Sequence, residues 1–443
     1  MTAREVALLT LNGVERQNAW ANVALKRELR RSRLDLRDAA LATRLTFGVL
    51  QHQMLLDFYL SQFSTGKLNK MESRVRNILR LGLYQMLFLT RVPVSAAVNE
   101  SVELTRKHSK NPRAAGMVNA ILRNLARNLN NLPLLDQSDP MAYLSLRTSH
   151  PLWLVQELAR EIPDPAELEA LLECHNRPVS TMVQVNACRC TVEEAMAALN
   201  RDGAAAQTHP WLAGCLILTD TGDLENLTAF HEGLIYVQDP AARLAVLAAG
   251  PLPGQRALDC CAAPGGKTFA AAIAMENRGE VVSCDVHAHK KKLIEAGADR
   301  LGLTCVTPGV ADARKEKEAW RESFDLVIAD VPCSGLGVIR KKPDLRYKSP
   351  EELVTLPALQ GEILKTVAGY VKPGGVLLYA TCTLRRAENG EVVDAFLADR
   401  PDFQWEAFSL PGGLEGGGGG SVTLWPHQTG TDGFYIAKLR RSL

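Results

Sequence analysis

Two cysteines lie directly after predicted strands, at positions from which a side chain can do chemistry. Cys333 belongs to the segment 330–335 (DVPCSG), and Cys382 belongs to the segment 379–383 (YATCT). A thiolate beside a nucleotide-type cofactor fold can add to an electron-poor ring. Upstream, the segment 258–268 (LDCCAAPGGKT) predicts a strand, a glycine turn and the start of a helix. Together the three segments suggest methyl transfer to a pyrimidine.

The glycine turn is not of a common phosphate-binding type. It ends in Gly-Lys-Thr, but Cys261 stands where a phosphate-binding loop needs its first glycine. The Gly-x-Gly-x-x-Gly pattern of dinucleotide folds is absent as well. What remains is a turn at Gly265 and Gly266 that lets a ligand approach the backbone closely.

Two acidic residues near later strand ends favour a nucleoside-bearing cofactor. Asp285 follows Asp259 by 26 residues, about one strand-helix-strand unit, where a carboxylate can accept both ribose hydroxyls. Asp312 follows the next strand, at the position for an adenine amino group. A single strand-end Asp is often only a helix cap. The order of Asp285 and Asp312 after the Gly265–Gly266 turn indicates a nucleoside-bearing cofactor.

The chain predicts three domains, at 1–140, 145–232 and 233–443. Apolar residues recur at helical spacing in the first, which predicts a helical bundle. The second is a small α+β region with a strand at 181–186 and a capping box, Thr191 to Glu194, that opens a helix. In the third, strands alternate with amphipathic helices, which predicts a mainly parallel sheet covered on both faces. The predicted strands of this sheet are 256–259, 281–285, 304–307, 324–330, 376–381 and 434–439.

Basic charge is concentrated in the first domain. Residues 1–140 hold 21 Lys and Arg against 11 Asp and Glu, whereas the remainder holds 30 against 38. Such an imbalance attracts a polyanion, and nucleic acid is the natural partner. The alternative is that the charges only solvate helix faces. Segments 26–33 (KRELRRSR) and 106–113 (RKHSKNPR), and later Arg340, Lys341, Lys342 and Arg346, are candidate phosphate contacts.

Several function classes are disfavoured by composition. No apolar run approaches the roughly 20 residues that span a bilayer, and the N-terminus lacks the hydrophobic region of a secretory signal. We therefore expect a cytoplasmic protein without membrane contact. The ten cysteines lack the spacing of a zinc site, and the nine histidines form no ligand cluster, so no metal is expected.

The motifs carry a resemblance to a known family. Segments 259–268, 330–335 and 379–383 resemble three signature motifs of the S-adenosylmethionine-dependent RNA 5-methylcytosine methyltransferases of the NOL1/NOP2/Sun family. Segments 96–104 (AAVNESVEL) and 117–123 (MVNAILR) resemble the helical RNA-binding fold of the antitermination factor NusB. The combination is similar to the bacterial Fmu/Sun (RsmB-type) enzymes, which methylate a cytosine of small-subunit (16S) rRNA.

This resemblance implies a multidomain α and α/β protein. Its parts would be an N-terminal NusB-like helical bundle, a small α+β linker domain and a C-terminal Rossmann-like S-adenosylmethionine-dependent methyltransferase domain. The implied partner is 16S rRNA, and we expect a monomer. The expected cofactor contacts are Cys261, Ala262, Ala263, Pro264, Gly265, Gly266, Lys267, Asp285, Asp312 and Asp330.

The expected mechanism needs a cysteine, because carbon 5 of cytosine is too poor a nucleophile to take a methyl group directly. Addition of a thiolate to carbon 6 turns the ring into an enamine, which makes carbon 5 nucleophilic. The residues alone leave open which cysteine attacks, since both follow a strand. Analogous DNA enzymes use a Pro-Cys cysteine, which would favour Cys333. The resemblance assigns attack to Cys382 and assistance of product release to Cys333.

Two further residues are candidates for the base pocket. Asp330 is predicted to hydrogen-bond the cytosine ring edge and to polarise the ring during thiolate addition. The alternative is that Asp330 is only a turn residue before Pro332. Lys267 either contacts the base, as the family suggests, or is an ordinary lysine at a helix start. The target base must be unstacked, so an accessible RNA strand is the expected substrate.

A function of another class is an RNA-binding, antitermination-like factor whose methyltransferase fold no longer catalyses. A degenerate site should have lost a cysteine or an acidic residue of the cofactor site. All of these are present, namely Cys333, Cys382, Asp285, Asp312 and Asp330. Catalysis is therefore the favoured interpretation.

Overall fold

The computed structural model describes residues 1–17, 19–219 and 221–443 of the chain. The chain forms two compact units. The first comprises Met1–Arg177 and Ile339–Lys348, and the second comprises Pro178–Val338 and Ser349–Leu443. A short segment from the later half of the sequence therefore folds with the N-terminal unit.

The first unit is helical throughout its described residues, as the apolar periodicity predicts. Apolar residues that recur at helical spacing, such as Ile78, Leu79, Val118 and Leu122, are fully buried in one core. This unit contains α1 (Ala3–Gln17), α2 (Ala21–Ser32), α3 (Leu36–Gln51), α4 (Gln53–Phe63), α5 (Ser73–Phe88), α6 (Val94–His108), α7 (Ala114–Arg127), α8 (Pro140–Thr148), α9 (Leu152–Glu161) and α10 (Pro165–Cys174).

Segment 339–348 is anchored in the first unit by a buried arginine. Arg346 is 0% exposed. Its guanidinium donates to the backbone carbonyl of Gln51 at 3.0 Å and to the side-chain oxygen of Asn176 at 2.9 Å. Burial lowers the pKa of Arg346 to about 10, so the group stays charged near neutral pH. The prediction that Arg346 contacts RNA phosphate is wrong, because the guanidinium is fully buried and its terminal nitrogens donate to protein oxygens.

A small antiparallel sheet opens the second unit. Its strands are β1 (Thr181–Val185), β2 (Ala205–Thr208), β3 (Cys215–Thr219) and β4 (Ile235–Val237), in the order β2-β3-β1-β4. The accompanying helices are α11 (Val192–Arg201) and α12 (Thr228–His231). The predicted capping box is confirmed, because Glu194 N donates to Thr191 Oγ1 at 3.2 Å and Thr191 N donates to Glu194 Oε2 at 2.8 Å.

The rest of the second unit is built on an eight-stranded sheet. Its main path runs β10-β12-β9-β8-β5-β6-β7, and β11 pairs with β12. Strands β5 to β9 are parallel, whereas β10, β11 and β12 pair in antiparallel fashion. The strands are β5 (Arg256–Asp259), β6 (Glu280–Asp285), β7 (Val306–Val310), β8 (Phe324–Asp330), β9 (Val371–Thr381), β10 (Phe403–Trp405), β11 (Ser421–Leu424) and β12 (Phe434–Arg441).

Helices cover both faces of this sheet, as predicted. They are α13 (Pro240–Ala249), α14 (Gly266–Ala274), α15 (Ala288–Leu301), α16 (Leu356–Ala368), α17 (Gly390–Asp399) and α18 (Pro426–Thr429). Successive strand residues point to opposite faces. Ile328 accordingly packs in a core with α13, α14 and α15, while its neighbour Val327 packs in a second core with α16 and α17. The two cores hold the central strands rigidly at their carboxyl ends.

Two predicted strands differ most from those observed, whereas β6 and β12 are longer than predicted by only one or two residues at one end. The third strand was expected at 304–307, but β7 pairs with β6 from Val306 to Val310 and includes Pro308. A proline is tolerated there because β7 is an edge strand. The strand predicted at 376–381 begins earlier, at Val371, with an irregularity in its pairing to β8. Pairing with a neighbouring strand set the observed bounds of both β7 and β9.

Among the described residues, no helix combines the length and the apolar character needed to cross a membrane.

Candidate active site

The glycine turn after β5 forms a tight loop at the carboxyl edge of the sheet. Gly265 N donates to the carbonyl of Ala262 at 2.7 Å, and Gly265 has a φ of 115°. A Cβ at Gly265 would lie 2.4 Å from Cζ of Phe269. The position therefore requires glycine for both its backbone angle and its packing. The loop that follows Asp259 leads directly into α14.

Asp285 ends β6, with its carboxylate already held in place. It is 6% exposed. One oxygen accepts from the backbone N–H of His287 at 3.0 Å, and the other accepts from Nζ of Lys290 at 3.3 Å. Such a preorganised carboxylate fits the ribose hydroxyls of a nucleoside.

Asp312 lies two residues beyond the end of the neighbouring strand β7, at the same edge of the sheet. Arg314 binds its carboxylate through two nitrogen atoms, at 2.9 and 2.7 Å. These hydrogen bonds lower the pKa of Asp312 to about 2, so it is a carboxylate under all ordinary conditions. A carboxylate in this place fits the donor hydrogens of an adenine amino group, and Arg314 is a neighbour that the sequence did not point out.

The two cysteines of the sequence motifs are neighbours in space. Cys333 follows β8 and Cys382 follows β9, and these strands are adjacent and parallel. Their sulfur atoms are 3.3 Å apart. Hydrogen bonding with Cys382 and burial raise the pKa of the Cys333 thiol well above its ordinary value. The raised pKa favours the thiol form of Cys333, which hydrogen-bonds with the Cys382 sulfur.

Lys267 and Asp330 form an ion pair in the same site. Lys267 Nζ lies 2.7 Å from Asp330 Oδ2, with the lysine side chain 9% exposed and the aspartate side chain 31% exposed. The ammonium also lies 4.7 Å from the centroid of the Phe434 ring, within cation–π range. The structure thus brings Lys267 and Asp330 together, and it adds Phe434, which the sequence analysis missed because a strand phenylalanine looks like core.

Beneath the loop, Asp259 is fully buried. Its Oδ2 accepts from Thr268 Oγ1 at 2.7 Å, and Thr268 Oγ1 also lies 2.6 Å from Ser283 Oγ. Burial raises the pKa of Asp259 to about 7. The folded protein therefore binds a proton here that the unfolded chain has already released above pH 4.

We expect this proton to make stability depend on pH. Because the folded-state pKa of Asp259 is raised, the free energy of unfolding falls as pH increases from about 4 to about 7. The full pKa shift of Asp259 corresponds to a change of roughly 4 kcal/mol at most in the free energy of unfolding. Asp259→Asn should remove most of this dependence, as measured by urea unfolding at pH 5 and pH 8. The exposed Glu391→Gln is the matched control; an equally steep pH dependence in Asp259→Asn would contradict the assignment.

Other polar residues around the cysteines were not predicted. Gln360, Thr383, Glu388 and Asn389 are buried or nearly so and hydrogen-bond around the two cysteine loops. Glu388 stands in a strongly charged stretch, 385–391, which by composition is typical of solvent-exposed surface. No sequence signal distinguishes its buried carboxylate from an exposed one.

Across the parts of the chain that the structure describes, no group of three or more His, Cys, Asp or Glu side chains is arranged to hold a metal ion.

In the first unit, the two basic segments of the sequence carry exposed side chains. Segment 26–33 lies mainly on α2, and its Arg31 side chain is 69% exposed. Segment 106–113 spans the end of α6 and the loop after it, and its Arg106 side chain is 64% exposed. Both therefore have guanidinium groups within reach of a polyanion.

Three family models match the chain in sequence order. Residues 1–127 match the NusB family, and residues 150–225 match the ferredoxin-like domain of RsmF/B-like methyltransferases. Residues 246–440 match the model described as 16S rRNA methyltransferase RsmB/F. These matches confirm the predicted fold class of a NusB-like helical domain, a small α+β domain and a Rossmann-like methyltransferase domain.

Similar proteins of known name extend over the whole chain. A protein of Bacillus subtilis named probable ribosomal RNA small subunit methyltransferase B is 37% identical over 99% of both chains. A protein of the same name from Synechocystis is 34% identical over 100% of both. Among solved structures, PH0851 superposes with a TM-score of 0.82 at 25% identity, covering 100% of this chain and 99% of that one.

Proposed function

Since the chain belongs to the RsmB/F family of 16S rRNA methyltransferases, we propose that it methylates carbon 5 of a cytosine in 16S rRNA. The methyl group would come from S-adenosylmethionine, through a covalent cysteine–cytosine adduct. The observation that carries this proposal is the pair of sulfur atoms 3.3 Å apart beside the Lys267–Asp330 ion pair. Addition of sulfur to a ring needs a sulfur nucleophile and a charged group to polarise the ring, and the two thiols and the Lys267–Asp330 ion pair could supply them.

In the proposed reaction, Cys382 attacks carbon 6 as a thiolate. Cys333, whose thiol keeps its proton, donates a hydrogen bond to that sulfur and later assists its departure. Lys267 stabilises the negative charge that develops on the ring, and Asp330 accepts a hydrogen bond from the ring edge. Methyl transfer would leave S-adenosylhomocysteine. Water would then take the carbon 5 proton, the electron pair of that bond would form the carbon 5–carbon 6 double bond, and Cys382 would leave as a thiolate, which restores the aromatic ring and the free enzyme.

We assign the cofactor to the carboxyl edge of the large sheet. S-adenosylmethionine supplies an electrophilic methyl group on a sulfonium sulfur. One loop would pass along the cofactor, formed by Cys261, Ala262, Ala263, Pro264, Gly265 and Gly266. The polar contacts would be Lys267, Asp285, Asp312 and Asp330. The fit rests on the placement of the Gly265 turn directly after β5 and on the fixed carboxylate of Asp285.

We expect Asp285→Asn to weaken binding of S-adenosylmethionine by about 10- to 100-fold, because hydrogen bonds to a charged group contribute roughly 1.5–3 kcal/mol. Isothermal titration calorimetry with the full-length protein measures this directly. Asp399→Asn changes an exposed aspartate of α17 and should leave the affinity unchanged. Equal affinities in wild type and Asp285→Asn would remove Asp285 from the cofactor site.

The first unit is proposed to bind the RNA through its exposed arginines and lysines. Its match to the NusB family and its excess of basic residues support this role. The cytoplasmic location, the monomeric state and the domain boundaries at 1–140, 145–232 and 233–443 stay predictions.

The direct test uses unmodified 16S rRNA and labelled S-adenosylmethionine. We expect the label to enter RNA, and nucleoside mass spectrometry after digestion should identify 5-methylcytidine. Binding of rRNA without transfer would instead support the second candidate, an RNA-binding factor with an inactive methyltransferase fold. Transfer to a different base or atom would overturn the cytosine assignment alone.

A further inference from the structure

A buried carboxylate connects the two loops that carry the cysteines. Glu388 is 0% exposed and ends the turn Arg386–Glu388, shortly after Cys382. Its Oε2 accepts from the backbone N–H of Ser334, the residue after Cys333, at 2.8 Å. The Cys333 loop is thus bound to a side chain that belongs to the Cys382 loop.

Three more hydrogen bonds extend this connection. Gln360 of α16 donates Nε2 to Glu388 Oε2 at 3.0 Å and to the carbonyl of Pro332 at 2.9 Å. The hydroxyls of Ser334 and Thr383, the residues directly after the two cysteines, lie 2.7 Å apart. Each cysteine is therefore followed by a residue that is fixed to the opposite loop.

The turn that carries Glu388 is itself held against β9. Asn389 donates Nδ2 to the carbonyl of Thr383 at 3.1 Å and accepts at Oδ1 from Thr381 Oγ1 at 2.6 Å. Arg385 donates to Glu388 Oε1 at 3.1 Å and neutralises the buried charge. These hydrogen bonds leave the Glu388 carboxylate little freedom to move.

Burying a carboxylate is costly unless its hydrogen bonds are satisfied, and a packed apolar side chain would often stabilise a core better. Here both carboxylate oxygens are used, and the donors come from the two cysteine loops and from α16 next to them. The arrangement fixes the separation of the sulfur atoms, which lie 3.3 Å apart. Covalent catalysis depends on such placement to within about an ångström.

We propose that Glu388 is a positioning residue that holds Cys333 in register with Cys382, and that Gln360 supports it. This inference rests on the proposed function, because positioning matters for catalysis only if both sulfurs act on one base. Neither Glu388 nor Gln360 touches the substrate in this scheme. Their effect is transmitted through the two loops.

The test compares Glu388→Gln and Gln360→Met with the control Glu391→Gln, which alters a glutamate that is 60% exposed only three residues away. We expect kcat to fall by about 100-fold in Glu388→Gln and by about 10-fold in Gln360→Met, as for a misplacement of roughly an ångström. The KM for S-adenosylmethionine should stay unchanged, because the cofactor contacts are elsewhere. Glu391→Gln should match wild type.

A second readout does not use methylation at all. Hydrogen peroxide at low concentration oxidises two neighbouring thiols to one disulfide, taking two protons and two electrons and being reduced to two waters. We expect the wild type to form a Cys333–Cys382 disulfide rapidly, and Glu388→Gln and Gln360→Met to form it several-fold more slowly, as followed by mass spectrometry of peptides. Thermal unfolding of each variant shows whether it is folded.

The outcomes separate the two proposals. Wild-type kcat and wild-type disulfide formation in Glu388→Gln would overturn the positioning role. A lowered kcat with an unchanged disulfide rate would overturn it as well, because the sulfurs would still be in register. Should Glu388→Gln fail to fold, Gln360→Met decides by the same criteria. Methylation that persists without Cys382 would instead remove the proposed covalent mechanism, whatever the disulfide rates.

Discussion

Replacing Cys382 with alanine is expected to abolish methyl transfer and to leave no covalent protein–RNA complex. Without the attacking sulfur, carbon 5 of the cytosine never becomes an enamine carbon, so the loss should be about 10⁴-fold or more, as for other nucleophiles. The assay is transfer of labelled methyl to 16S rRNA, with denaturing gels to detect the adduct. Binding of S-adenosylmethionine should be retained, since Cys382 is outside the expected cofactor contacts.

The companion variant Cys333→Ala should behave differently. It keeps the attacking sulfur but loses the thiol that assists departure, so an RNA–protein adduct should accumulate and survive denaturation. Cys188→Ala removes an exposed cysteine outside the site and should behave like wild type. An adduct with Cys382→Ala and none with Cys333→Ala would exchange the roles of the two cysteines.

The second large effect is expected for Lys267→Met. The substitution keeps the length and the apolar stem of the side chain but removes the ammonium that lies 2.7 Å from Asp330. Since charge develops on the ring during addition, we expect kcat to fall by about 10²- to 10³-fold, similar to loss of one oxyanion donor. The measurement is single-turnover methyl transfer at saturating RNA and S-adenosylmethionine.

The chain offers a matched control for this substitution. Lys365 also pairs with an aspartate, Asp399, at 2.6 Å, but its side chain is 56% exposed on α16. Lys365→Met should therefore leave the rate unchanged, because an exposed ion pair contributes little. Equal rates for Lys267→Met and wild type would support the alternative that Lys267 is an ordinary lysine at a helix start.

The placement of the candidate site residues at strand ends could be predicted because it depends on local features. A glycine turn after a strand, a cysteine after each of two further strands and an aspartate at the end of another are short patterns with strong local constraints. Helical periodicity predicted the first unit for the same reason. The matches to the RsmB/F and NusB families agree with these predictions over most of the chain.

The features that the sequence did not reveal all depend on contacts between residues that are distant in sequence. Arg346 looked like a free cation, yet its partners Gln51 and Asn176 lie 295 and 170 residues away in sequence. The strand predicted at 304–307 is displaced, because pairing with β6 carries β7 past Pro308 to Val310. Glu388 looked solvated, yet it is enclosed by residues of three separate segments.

The amino-acid order alone places Cys333, Cys382 and Asp285 at or directly after strand ends, and with them the candidate site. The 3.3 Å separation of the Cys333 and Cys382 sulfurs and the burial of Glu388 near them follow only from the folded chain. The physical reason is that side-chain type and backbone periodicity are properties of neighbouring residues. Burial and the distance between two strand ends depend instead on contacts that form only when the whole sheet is assembled.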